Sequence, residues 1–248
     1  MNFNQELAIK GFCFRGYDDN VTVASKLKEC GVDRIDLSGC QCDFRQPNEH
    51  DEVIKTFRDA DVSIVGIGAV QLHGDSSDQQ YFEFCRKAGC RTVSCMGEPD
   101  TFTEAIKQAD RFAQDFDMFV AIHNHGGKHW LGNSEMLRHV LRRVSDRVGL
   151  CIDSAWCLQA GENPVEWVEE FGQRVHAVHF KDFVFDRHGG YEDVVVGTGA
   201  LNLPAFVKAL KEVNFDGPAA IEYEADVDNP VPALSDCVEQ MRKTLAVI

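Results

Sequence analysis

The feature that most constrains this chain is an alternation along its length: short apolar runs with strand character take turns with longer segments of helical spacing. Ala8 to Phe14 reads as a strand, and Val21 to Cys30 as a helix stopped by Gly31. Val32 to Leu37 and Val62 to Ile67 are the next strands, followed by helices near 49–60 and 77–88. Cys90 to Met96 leads into an amphipathic helix over 102–116, and Met118 to His123 into a helix near 134–145 with Ser134 as its N-cap. Val148 to Asp153 and Val175 to Phe180 flank a helix near 163–172 that begins at Pro164, a residue tolerated in a first turn. After a long loop, Leu203 to Val213 is helical, Pro218 to Tyr223 is the eighth strand and Pro232 to Ala246 the last helix. Eight such units in 248 residues predict an α/β fold, a single (β/α)8 TIM barrel spanning 1–248 as one domain. A doubly wound open sheet would compete, but no G-x-G-x-x-G follows the first strand.

Charge narrows the possible partners. Lys and Arg number 25 against 40 Asp and Glu, and a net charge of −15 repels phosphate backbones, so no nucleic-acid partner is expected. The start MNFNQELAIK lacks a charged segment followed by an apolar one, and no apolar run approaches the roughly 20 residues of a membrane span. A cytoplasmic location without membrane contact is the expectation. Of the ten cysteines, Cys13, Cys30, Cys85, Cys90, Cys95 and Cys151 lie inside apolar patterns and read as buried reduced thiols. Cys40 and Cys42 have no second pair at zinc-finger spacing, so no structural zinc site is expected.

Four polar clusters stand at the ends of the later strands: His123-Asn124-His125, Asp153, His179-Phe180-Lys181-Asp182 and Glu222-Tyr223-Glu224. In a parallel barrel the C-terminal strand ends converge on one mouth, where active sites lie. Taken singly, a strand-end carboxylate such as Asp153 is more often a turn or helix cap than a ligand. Four such ends in consecutive units change that balance, because polar groups at apolar strand tips need a partner and one divalent cation could serve all of them. Strand alternation sets His176 opposite to His179, toward the helices, where a hydrogen-bonded structural histidine is expected.

At these residues the chain resembles the xylose-isomerase-like barrel superfamily of sugar isomerases, epimerases and dehydratases, which also includes endonuclease IV-type repair enzymes. The resemblance runs the whole length and rests on HNHGG after strand five, IDSAW at strand six, HFKD at strand seven, the VGTG loop at 196–199 and IEYE at strand eight. It implies one divalent metal ion held by Asp153, His179 and Glu222, with His123 standing where the family usually has a strand-five Glu. This is similar to the branch that writes HNH or HPH there, some of whose members are inosose dehydratases and related keto-sugar lyases. Two imidazoles and two carboxylates suit Mn, Zn, Co or Fe better than Mg.

The implied activity is that of a sugar, sugar phosphate or cyclitol isomerase or epimerase that abstracts a proton next to a carbonyl through an enediolate. Its catalytic residues would be Glu222 as base, His123 as second acid/base and Lys181 as donor to the developing oxyanion. Asp182 is a natural ion-pair partner for Lys181, and Glu135 is a remote alternative base. The loss of the strand-five carboxylate also leaves dehydration by a keto-sugar lyase open. His125, Trp156, His73, Glu98 and Trp130 are the candidate substrate-binding residues, with core packing the competing role for both tryptophans. Arg15 and Asp36, near the first strand ends, are weighed against an ion pair inside the barrel or simple exposure. Asp186 and His188 resemble extra metal ligands of the endonuclease type, but Trp156 stands where that pattern needs a His, and surface solvation is the competing role. A metal-dependent nuclease and a non-catalytic sugar-binding barrel are the rival classes, and a homo-oligomer is open because no apolar stripe on the outer helices decides it.

Overall fold

A computed structural model describes residues 7–248. The stretch 1–6, part of the segment read above for a leader, lies outside the described residues. Strands β1 (Leu7–Lys10), β2 (Arg34–Leu37), β3 (Ser63–Gln71), β4 (Thr92–Met96), β5 (Phe119–His123), β6 (Val148–Asp153), β7 (Val175–Phe180) and β10 (Ala219–Ile221) close into a parallel barrel. The barrel order is β1-β10-β7-β6-β5-β4-β3-β2, with every neighbouring pair parallel. Helices α1 (Asn20–Glu29), α2 (Pro47–Asp59), α3 (Gln79–Ala88), α4 (Pro99–Asp115), α5 (Ser134–Leu141), α6 (Ser154–Gln159), α7 (Pro164–Phe171), α8 (Leu203–Glu212) and α9 (Val231–Val247) connect the strands. The (β/α)8 barrel expected from the alternation is therefore the fold. Among the described residues no helix is long and apolar enough to cross a membrane.

Helix α4 shows how the local pattern sets the packing. Pro99 occupies its first turn, where a missing N–H costs nothing, and Phe102, Ala105, Ile106, Ala109 and Ala113 are buried at helical spacing. Fully burying a Phe or Ile contributes roughly 1.5–3 kcal/mol, so that stripe fixes which face meets the sheet. The chain leaves α4 through Asp117 at φ 55° before re-entering the barrel as β5.

Several boundaries differ from the expectation. β1 ends at Lys10, and Gly11–Phe14 turns into a 3-10 helix. The N-cap of α5 is Asn133, whose side chain accepts from the Met136 N–H at 2.9 Å, with Ser134 already inside the helix. Two elements went unpredicted: α6, and an antiparallel hairpin of β8 (Asp182–Phe185) and β9 (Tyr191–Val194) in the stretch read as a long loop. Cys13, Cys30, Cys85, Cys90, Cys95 and Cys151 are buried and unbridged, as expected, and Cys40 is exposed.

Inside the barrel, Ala121, Cys151 and Ala177 form a small buried cluster. Each lies two residues before His123, Asp153 or His179, on the same side of its strand. A layer of small side chains therefore floors the polar one and leaves it room.

Candidate metal centre

His123, Asp153, His179 and Glu222 converge at the C-terminal mouth, each offering one ligand atom, with all four atoms within 4.8 Å of one another. All four are buried, Asp153 and His179 completely.

At the end of β6, Asp153 Oδ1 accepts the Trp156 N–H at 2.9 Å and so caps α6. Its Oδ2 is buried without a hydrogen bond and lies 3.8 Å from His123 Nε2. The backbone there is fixed by Asn124, which accepts the Asp153 N–H at 2.8 Å and donates to the Asp153 carbonyl at 3.1 Å. The middle residue of HNH thus ties β5 to β6. Ser154 does the same toward β7: its hydroxyl donates to the Lys181 carbonyl at 2.6 Å and accepts the Lys181 N–H at 3.0 Å.

His179 donates from Nε2 to Asp36 Oδ2 at 3.1 Å, which leaves Nδ1 facing the cluster. His179 Nδ1 and Glu222 Oε2 approach to 2.7 Å, yet neither makes an aligned hydrogen bond. His123 Nδ1 is a further buried atom without a partner. Unpaired buried nitrogens and carboxylate oxygens are costly, and a shared divalent cation would satisfy Asp153 Oδ2, His179 Nδ1 and Glu222 Oε2 together. The residues present therefore fit such an ion.

Burial dominates the electrostatics. It lifts the Asp153 carboxyl from 3.8 to about 7, helped by the Glu222 charge and opposed by Lys181. It also pushes the His123 imidazole well below its ordinary value, with His179 adding to the effect. For Glu222 burial is outweighed by Lys181 and His179, which hold its carboxyl well below the usual range.

Lys181 is fully buried, and its ammonium pairs with Glu224 and lies 3.8 Å from Asp193 Oδ2. Asp182 is not its partner. That carboxylate instead accepts the N–H groups of Gly197 at 3.0 Å, Gly199 at 2.8 Å and Leu201 at 2.9 Å. The VGTG loop is wrapped around Asp182, and a Cβ on Gly199 would stand 2.6 Å from Asp182 Oδ1.

The candidate substrate residues separate into two groups. His125 and Trp156 stack with ring centroids 4.2 Å apart, and Trp156 meets Phe183 and Tyr191 edge-on at 5.0 and 5.3 Å. These rings form an aromatic wall beside the cluster, built partly from the hairpin that sequence reading did not foresee. Trp130 is committed to packing: its indole N–H donates to the Gly97 carbonyl at 3.1 Å and its ring meets Phe102 at 4.9 Å. His73 and Glu98 are exposed beyond β3 and β4, and their side chains join no hydrogen bond or ion pair with the four clustered residues.

Asp36 is a barrel-internal ion-pair partner, but its cation is Lys10, at 3.0 Å, not Arg15. Arg15 donates to the carbonyls of Phe12 and Glu224. His176 is hydrogen-bonded as expected, to the Asp146 carbonyl at 2.9 Å. A register shift between Leu150 and Cys151 interrupts the strand parity, however, and its ring lies against Phe119 with centroids 4.7 Å apart at the barrel mouth opposite the cluster, not toward the helix layer. Asp186 and His188 sit exposed in the β8–β9 turn, where Asp186 accepts the His188 N–H at 2.7 Å. Glu135 is exposed in the first turn of α5. A cavity of about 1380 Å³ opens at the opposite mouth, lined by strand starts including Arg34, Thr92, Phe119 and Val175, and includes none of the four clustered residues.

A closed parallel barrel with a buried His–Asp–His–Glu cluster at its C-terminal mouth defines a class of barrel proteins suited to a divalent metal. The xylose isomerase-like TIM barrel family model matches residues 24–244, and the chain belongs to that family. An inosose dehydratase of Clostridium beijerinckii is 24% identical over 156 residues, which cover 56% of this chain and 50% of the relative. The chain thus spans about half the length of this curated relative. In solved structures, the barrel superposes on the IOLI protein with a bound zinc atom at a TM-score of 0.79, with 16% identity and 98% of each chain covered. It superposes on a 3-keto-D-glucoside 4-epimerase from E. coli at 0.74, with 14% identity, 96% of this chain and 99% of the other.

Proposed function

We propose that the protein is a divalent-metal-dependent enzyme that removes a proton next to the carbonyl of a keto-sugar or cyclitol, with isomerisation or epimerisation as the first reading. The observation that carries it is the set of four buried side chains that each offer one ligand atom within 4.8 Å of the others, with Asp153 Oδ2, His179 Nδ1 and Glu222 Oε2 lacking hydrogen bonds. His123, Asp153, His179 and Glu222 would hold the ion. When bound, it supplies Lewis-acid polarisation of a chelated carbonyl and so acidifies the neighbouring C–H.

Glu222 is the base. Lys181 keeps its carboxyl ionised despite burial, so it is ready to accept a proton. Lys181 is held charged by Glu224 and Asp193, and supplies a fixed positive charge beside an enediolate oxyanion. The wall of Trp156, Phe183 and Tyr191 offers an apolar face to a sugar ring and limits water.

Dehydration is a second reading with its own support. A two-base epimerisation needs an acid/base on each face of the carbon, and His123, buried and held neutral, is a poor returning acid. The similarity to inosose dehydratase points the same way.

The test is a panel of keto-sugars and inososes incubated with metal-loaded protein in D2O and followed by NMR. Deuterium uptake next to the carbonyl without loss of water selects isomerisation or epimerisation, and loss of water selects dehydration. Glu222→Gln should slow either reaction by about 10²- to 10⁴-fold. Undiminished exchange in that variant would remove Glu222 from its role.

A further inference from the structure

His179 is neutral or charged through only two ring nitrogens, and the structure commits one of them. Asp36 Oδ2, which can only accept while ionised, takes the Nε2–H at 3.1 Å. A neutral ring must then carry its lone pair on Nδ1, the atom 2.7 Å from Glu222 Oε2 and without a hydrogen bond. The same Asp36 Oδ2 also takes the Lys10 ammonium at 3.0 Å, while Asp36 Oδ1 is buried with no partner. Two donors thus converge on Asp36 Oδ2 while Asp36 Oδ1 is left without a hydrogen bond.

Lys10 is itself 2% exposed and donates further to the Leu37 carbonyl at 3.1 Å and to the Gly68 carbonyl. Burying a carboxylate and an ammonium together is expensive, and replacing such a pair by apolar groups is often neutral or stabilising. A backbone carbonyl would orient an imidazole at lower cost. What an anion adds is a more basic ring nitrogen on the far side, together with a fixed tautomer.

We propose that Asp36, kept ionised by Lys10, is a positioning residue that directs the Nδ1 lone pair of His179 toward the cluster and strengthens it as a metal ligand. This rests on the metal-centre reading given above. The three residues come from β1, β2 and β7, so the barrel wall without ligands supports the wall that carries them.

The experiment measures Zn2+ and Mn2+ affinity of the full chain by competition with a chromophoric chelator, alongside thermal unfolding of the metal-free form. Wild type should bind about one ion and His179→Ala should lose it. Asp36→Asn should bind about 10- to 100-fold more weakly. Lys10→Met should weaken binding similarly and lower the metal-free melting temperature, because it strands a buried carboxylate. The double variant Lys10→Met/Asp36→Asn should recover that melting temperature while its affinity stays low, which a structural pair would not do. Wild-type affinity in Asp36→Asn, with binding lost in His179→Ala, overturns the positioning role and leaves the metal centre standing. Absence of metal binding in wild type overturns the centre and this role with it.

Discussion

Replacing Asp153 by Asn should make the metal-free protein more stable, and the gain should grow with pH. The carboxyl is fully buried, with an ordinary value of 3.8 raised to about 7 in the fold. Below 3.8 the folded and unfolded chains both hold the proton, and Asp153 costs the fold nothing. Between 3.8 and about 7 the unfolded chain is ionised while the folded one is not, so stability falls as pH rises. Above about 7 both are ionised and the whole penalty is present, roughly three units at about 1.4 kcal/mol each, or about 4 kcal/mol. Asn carries no such penalty and can still accept the Trp156 N–H that caps α6. Urea unfolding in EDTA should therefore show Asp153→Asn more stable by up to about 4 kcal/mol near pH 8, with the gain shrinking to about 2 near pH 5. Saturating Zn2+ or Mn2+ should reverse the order, because ligand binding to the fold stabilises wild type in proportion to its affinity. A variant that is less stable than wild type near pH 8 in EDTA, or a gain independent of pH, would refute the reasoning.

Trp156→Leu removes the stack on His125 and the edge contacts to Phe183 and Tyr191, and should raise KM for a responsive sugar by about 3- to 10-fold with little change in kcat. Steady-state kinetics check this, and an unchanged KM would remove the aromatic wall from substrate binding. Gly149→Ala would set a Cβ 2.1 Å from the Arg174 carbonyl and 2.5 Å from the His176 ring. Because that backbone cannot move aside, unfolding should show a loss of about 1–3 kcal/mol with metal stoichiometry unchanged.

The barrel was legible because its signals are local. Apolar runs and helical spacing are set within a few residues, and the chain order of the elements then dictates which strand ends meet. The wall that supports the site was not legible for the converse reason. Lys10 reaches Asp36 across 26 residues, and Asp36 reaches His179 across 143, so the grouping exists only after the barrel closes. Lys181 and Asp182 illustrate the same limit at close range. Adjacent strand residues face opposite ways, so Lys181 meets Glu224 and Asp193 while Asp182 gathers the glycine loop. The hairpin carrying Asp193 and Tyr191 was hidden because its Asp, Arg, His and Gly content reads as loop, although its flanks alternate.

Asp153 shows why weighing a capping role against a ligand role poses a false choice at such strand ends. A carboxylate has two oxygens, and a β-strand that runs directly into a helix presents one of them to the first-turn N–H groups. Oδ1 is used that way, on the Trp156 N–H. The cap fixes the side-chain rotamer and holds Oδ2 toward His123, where no N–H reaches it. Capping is therefore the means by which a fully buried, costly carboxylate is kept pointing at the other donors. The short helix α6 that makes the cap possible contributes to the centre as directly as the strands do.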